Sequence, residues 1–117
     1  MKKIFALFSL LLIGNAFAQN VDFKAANFKD DKEGLKTATT ALESGDAFFK
    51  LGMDAVFAVQ DYGNNFYKAL EKYVVAQKFN PNNALLNYKI GACYAHSTDP
   101  AKGIPFFYTA QKLDPAC

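Results

Sequence analysis

The 117-residue chain has no arginine, a single histidine (His96), two cysteines (Cys93 and Cys117) and four prolines. Each scarcity removes a class of function. Arginine supplies the planar fork that holds phosphates and base edges bidentately, so its absence makes nucleic-acid recognition a poor reading. One histidine and no CxxC pair leave no ligand set for zinc. After the first eighteen residues only Ser44 and Ser97 remain as serines, both at expected helix ends, where capping explains them. His96 is followed by Ser97 and Asp99, but a catalytic triad is assembled across a fold, not along one turn. His96 therefore reads as a solvated turn residue. Asp30, Asp31 and Glu33 lack the alternation of a Ca²⁺ loop and read as a helix start. The chain reads as a non-enzyme with no metal, no cofactor and no small-molecule substrate.

Long apolar runs are also scarce, and the one present is at the start. Met1-Lys2-Lys3 is positive, Ile4 to Ile13 is almost wholly apolar, and Ala16-Phe17-Ala18 places small residues before a cleavage point. This is the pattern of a secretory signal peptide over 1–18, leaving Gln19 as the new N-terminus. The run is shorter than the roughly 20 residues a membrane helix needs. No cysteine follows it, which argues against a lipoprotein. Two of the thirteen lysines leave with the signal, so eleven lysines face eleven acids and the mature chain is neutral. The expected location is the periplasm, with outer-membrane association open. In an exported chain two cysteines invite a disulfide. The other reading is a buried free Cys93 inside a helix and a frayed Cys117, and the demanding geometry of a bridge favours it.

The remaining chain, from Gln19 to Cys117, suits one small domain without linkers or low-complexity runs. Its organising stretch is FYKALEKYVVAQKFNP, Phe66 to Pro81, which recurs degenerately as Lys102 to Pro115. Ala69, Tyr73, Ala76 and Pro81 fall on Gly103, Phe107, Ala110 and Pro115, each pair 34 residues apart. Small residues let a neighbouring helix approach, the ring fills the gap, and proline stops the helix. Asp30 and Asp31 offer the cap of a helix that Ser44-Gly45 ends, Asp46 caps the next, and Asn82-Asn83 after Pro81 are a turn and cap. Five helices follow from these signals: 31–43, 47–59, 66–78, 84–96 and 103–113, the last beginning near Ile104 because Pro105 suits a first turn.

A 34-residue period of helix pairs is similar to the tetratricopeptide repeat, and Ile90-Gly91 followed by Tyr94 resembles the core of that repeat's first helix. The expected fold is all-α: two tetratricopeptide hairpins, about 46–83 and 84–117, preceded by a lead-in and capping helix over 19–45. In the first repeat Phe48, Leu51 and Gly52 take the first-helix positions. Tyr73 and Phe107 should occupy equivalent buried places. First helices of such repeats line a concave surface, here Phe49 and Met53 from one repeat and Leu85, Tyr88, Lys89 and Ala92 from the next, with His96 at the edge. A mainly apolar and aromatic groove for a protein or peptide is implied, without the Lys and Asn pairs of a carboxylate clamp.

The segments NVDFKAANFKDDKEGLKTATTALESGDAFF and KALEKYVVAQKFNPNNALLNYKIGACY resemble the N-terminal part of a group of Bacteroidetes envelope proteins. That group combines a signal peptide, a tetratricopeptide module, a β-propeller and an OmpA-like peptidoglycan-binding domain, and some members are associated with type IX secretion. The resemblance implies a non-catalytic interaction scaffold in the cell envelope. Its alternative is a structural N-terminal module of a larger, peptidoglycan-anchored outer-membrane assembly. Nothing in this sequence matches the OmpA-like domain, so peptidoglycan binding is not carried over. Repeat units bury their apolar faces on one another, and Ile104, Phe107, Tyr108 and Gln111 should face a following helix. That stripe is expected either to drive self-association through the last helix or to await a covering partner.

Overall fold

The computed structural model describes residues 19–117, so the expected signal segment lies outside the described residues. The described chain is all-helical. Helix α1 spans Lys32–Phe57, α2 Asn65–Phe79, α3 Ala84–Ala95 and α4 Ile104–Leu113, with short 3-10 turns at Ala25–Asn27 and Pro100–Gly103. No strand occurs among the described residues.

The expected break at Ser44-Gly45 is absent, so a separate capping helix over 31–43 does not exist. The two helices anticipated there are one helix of 26 residues. The reason is tertiary. The buried residues of α1 are Ala38, Gly45 and Gly52, a line of small residues two helical turns apart. Helix α2 lies along that line. A Cβ at Gly45 would come within 2.6 Å of the Tyr73 ring, and one at Gly52 within 2.8 Å of the Phe66 ring. Seven residues forward on α1 correspond to seven residues back on α2, so the helices run antiparallel. A mid-helix glycine costs about 1 kcal/mol relative to alanine. Burying one large aromatic side chain contributes roughly 1.5–3 kcal/mol, and two are buried here. Packing outweighs propensity.

Two of the caps anticipated from local chemistry form. The Asp31 carboxylate accepts the Gly34 amide at 2.8 Å, with Glu33 in the first turn. Asn83 accepts the Leu86 amide at 2.9 Å and opens α3. Pro105 sits in the first turn of α4, where no amide donor is needed. Asp46, expected as a cap, is mid-helix instead and turns its carboxylate to Tyr73 and Lys89.

The core is built where α2 meets α3. Phe66, Ala69, Tyr73 and Ala76 pack on Leu86, Ile90 and Cys93, with Leu42, Phe48, Phe49, Met53 and Val56 of α1 closing one side. On the other side α3 pairs with α4. There Gly91 meets the Phe107 ring as Gly45 meets Tyr73, with a would-be Cβ at 2.8 Å. The two rings match in their glycine partners but not in depth. Tyr73 is wholly buried and Phe107 only partly. The difference arises because α3 covers the far side of α2, whereas the far side of α4 is an open groove. The first pair also has longer arms, so the glycine matching Gly91 is Gly45 rather than the anticipated Gly52.

His96 departs from its reading as a solvated residue. Its ring stacks on Phe66 at 4.3 Å and 11°, and meets Tyr62 edge-on at 5.7 Å. Its Nδ1 lies 2.9 Å from the Ala92 carbonyl, and its own carbonyl accepts the Tyr62 hydroxyl at 3.1 Å. It joins the α1–α2 loop to the end of α3.

Candidate functional site

Two surface depressions collect most of the residues singled out from the sequence. The first is a cleft of about 470 Å³ between α1 and α3, with Leu42 and Asp46 on one side and Leu85 and Lys89 on the other. Helical phase explains the lining: Leu42 and Asp46 are four residues apart on α1, and Leu85 and Lys89 four apart on α3, so each pair shares a face. At its base the Lys89 ammonium donates to Asp46 at 2.9 Å, and the Tyr73 hydroxyl donates to the same carboxylate oxygen at 2.6 Å. Burial, then the bond to Asp46 and its charge, push the Tyr73 phenol far above the usual tyrosine value. It is a fixed donor. Asp22 and Asp114 also line the cleft; Asp22 is paired with Lys24 at 3.6 Å, and Asp114 has no ion pair among the described residues.

One wall of this cleft comes from the segment before α1, which sequence reasoning treated as a lead-in without period. Val21 is held at both backbone groups. Its amide donates to the Asn82 carbonyl at 2.8 Å, and its carbonyl accepts from the Asn80 and Asn83 side chains at 2.8 and 3.0 Å. The Asn20 side chain in turn accepts the Ala84 amide at 2.7 Å. Phe23 packs partly buried against the core. The sequence signal was the turn Asn80-Pro81-Asn82-Asn83, which holds more amide donors than one helix cap uses.

The six residues expected to line a concave groove are therefore divided. Leu85 and Lys89 do line the cleft. Phe49 does not: its ring lies edge-on to Phe66 at 5.9 Å and near Tyr73 at 6.1 Å, inside the α1–α2 contact. Met53 is packed against the same core. Both were assigned to the groove as first-helix positions of the first repeat, but Phe49, four residues after Gly45 and three before Gly52, shares the stripe that faces α2. Ala92 is half-buried, and its carbonyl faces the His96 ring. Tyr88 belongs to the other depression.

That second depression is a groove of about 350 Å³ on the outer face of α3 and α4. It brings together Ile104, Phe107, Tyr108 and Gln111, the four residues expected to face a following helix, with Tyr88. The Tyr88 ring meets Phe107 edge-on at 5.6 Å. Ile104 and Tyr108 are more than half exposed, at 52% and 62%. Their positions match, 34 residues on, those of Leu70 and Val74 of α2, and Gln111 matches Gln77.

Both cysteines are free; Cys93 is buried, and burial pushes its thiol up to about 12. No helix among the described residues is long and apolar enough to cross a membrane. No protein-family model, curated protein or solved structure matches this chain.

Proposed function

We propose that the chain is a non-catalytic, tetratricopeptide-like scaffold of the cell envelope that takes a peptide segment of a partner protein in the cleft between α1 and α3. The repeat reading rests on the 34-residue period and on the glycine-and-ring contact found in both helix pairs. Export and a periplasmic location rest on the signal-like segment 1–18 and on the resemblance described above.

The observation that carries the binding reading is the cleft itself. Apolar side chains of Leu42, Leu85 and Phe23 flank three carboxylates, of which Asp46 is paired with Lys89 and Asp22 with Lys24, while Asp114 has no ion pair among the described residues. Such a surface favours an extended peptide with apolar side chains and a lysine or arginine, whose charge the carboxylates complement. Fluorescence anisotropy with peptides matched in apolar content and differing in charge tests this. Basic peptides should bind, more weakly as salt rises, and Leu85→Ala and Asp114→Asn should each reduce affinity. Equal binding of acidic and basic peptides, or insensitivity to both substitutions, would rule the cleft out.

A second reading is favoured by the groove on α3 and α4, whose exposed apolar residues repeat the covered face of α2 in register. In that reading the chain is a structural module, and the groove is the face by which it joins a larger envelope assembly or a further copy.

A further inference from the structure

The turn that closes α1 breaks a backbone preference. The Gln60 amide donates to the Ala55 carbonyl at 2.8 Å, and the Val59 amide to the Val56 carbonyl at 3.1 Å. Those two bonds are the paired bonds of a Schellman cap, whose C′ position needs a positive φ and is usually glycine. Here it is Val59, with φ 54°. A β-branched residue is disfavoured in that region. Gly63, in the same loop at φ 56°, shows the ordinary solution. Among the described residues no side-chain burial offsets the strain, because Val59 is 92% exposed and its neighbour Phe57 is 78% exposed. They are the two most exposed large apolar side chains among the described residues. A strained turn that displays its apolar side chains instead of burying them points to a contact outside the fold.

We propose that the Phe57–Val59 tip of one copy docks in the Tyr88–Phe107–Tyr108 groove of another copy. The proposal rests on the second reading above, that the groove is a docking face, and names its occupant. The tip is an apolar knob and the groove an apolar recess. Asp61 flanks the tip and Lys112 flanks Gln111, and neither carries an ion pair among the described residues, so the charges beside the two surfaces are opposite. An anionic lipid surface fits the tip less well, because Asp54 and Asp61 border it and the nearby Lys50 is held by Asp54 at 2.8 Å. Tip and groove are different patches, so the contact is heterologous. Each association leaves one tip and one groove unused, and growth does not stop at two copies.

Sedimentation of the full processed chain under reducing conditions, with two variants, tests the proposal. Phe57→Ser/Val59→Gly removes the tip, and Tyr108→Lys blocks the groove. Glycine at the cap relieves the strained φ, so Val59→Gly alone should raise the melting temperature, and lost association of the tip variant cannot then be laid to the cap unfolding. The wild type should show a weight-average mass that climbs with concentration without a plateau. Each variant alone should be monomeric, with association weakened about tenfold or more. Mixed in equal amounts, they should form a heterodimer, because together they retain one intact groove and one intact tip. If the wild type stops at a dimer and the tip variant still dimerises, the interface is groove to groove: the proposal falls while the docking face stands. If Tyr108→Lys associates like the wild type, the docking-face reading falls with it. A wild type that stays monomeric overturns the proposal. If that monomer also floats with phosphatidylethanolamine–phosphatidylglycerol vesicles and the tip variant does not, the tip belongs to a membrane surface.

Discussion

The Tyr73 ring lies so close to Gly45 that a β-carbon there would stand 2.6 Å from its Cδ1 and Cε1 atoms. This contact explains both the unbroken α1 and the depth of Tyr73. The ring cannot yield, because it is fully buried and its hydroxyl is held by Asp46 at 2.6 Å.

Gly45→Ala should therefore destabilise the protein, although alanine is the better helix former. The propensity gain is about 1 kcal/mol and the overpacking cost about 1–3 kcal/mol, so packing decides the sign. The backbone gives no relief, since the Ala69 carbonyl is also 3.3 Å from the added carbon. Denaturant titration of the variant measures the difference. A gain in stability would mean that the helices can separate at no cost.

Tyr73→Phe keeps the ring and removes the donor to Asp46, and should cost about 1.5–3 kcal/mol as a hydrogen bond to a charged group. The same bond predicts an alkaline limit. The folded phenol is held above its usual value, so the folded state keeps a proton that the unfolded state loses from about pH 10 upward. Stability should fall with rising pH in that range, and less steeply in the Phe variant. Melting curves of both proteins across the alkaline range provide the check.

The two cysteines should differ in reactivity. Cys93 is 1% exposed and its thiol is raised to about 12, whereas Cys117 is exposed. A thiol reagent at neutral pH should modify Cys117 alone in the native protein and both residues in denaturant. The raised value has the same sign as that of Tyr73. Its contribution to stability is complete below about pH 8.5 and is lost as pH rises toward the folded value. Mass spectrometry of native and denatured samples resolves the two sites, and rapid native labelling of Cys93 would contradict its burial.

Asn80 is 2% exposed and ties residues far apart in sequence, donating to the Val21 carbonyl at 2.8 Å and accepting the Asn82 amide at 3.2 Å. Asn80→Ala should cost about 1–3 kcal/mol, because it removes two hydrogen bonds at about 0.5–1.5 kcal/mol each. The Val21 amide, bonded to the Asn82 carbonyl, should then exchange with solvent much faster while amides inside α2 stay protected. The cleft loses an ordered wall in this variant, so peptide affinity should fall with it. Unchanged exchange at Val21 would show that Asn83 alone holds the segment.

Taken by itself, the sequence determined what depends on neighbours within a few turns of chain. The helical class, the caps at Asp31 and Asn83, the start of α4 at Ile104, and the stops before Pro81 and Pro115 all follow from local spacing and backbone chemistry. The outer stripe of Ile104, Tyr108 and Gln111 was legible because helical periodicity alone puts those residues on one face. Tertiary structure decided the rest. Gly45 reads locally as a stop, and only the ring of Tyr73, far along the chain, makes it a helix interior. In the unbroken helix Phe49 and Met53 follow Gly45 by four and eight residues and so turn toward α2, which is why they are core and not groove. The docking of Val21 on Asn80 and Asn83 was equally invisible, since hydrogen bonds to a backbone carbonyl leave no side-chain pattern at the residue that accepts them. Residues close in sequence shape an element through its period, but residues distant in sequence choose which of two locally permitted backbones is kept, because burying two rings outweighs one glycine's preference.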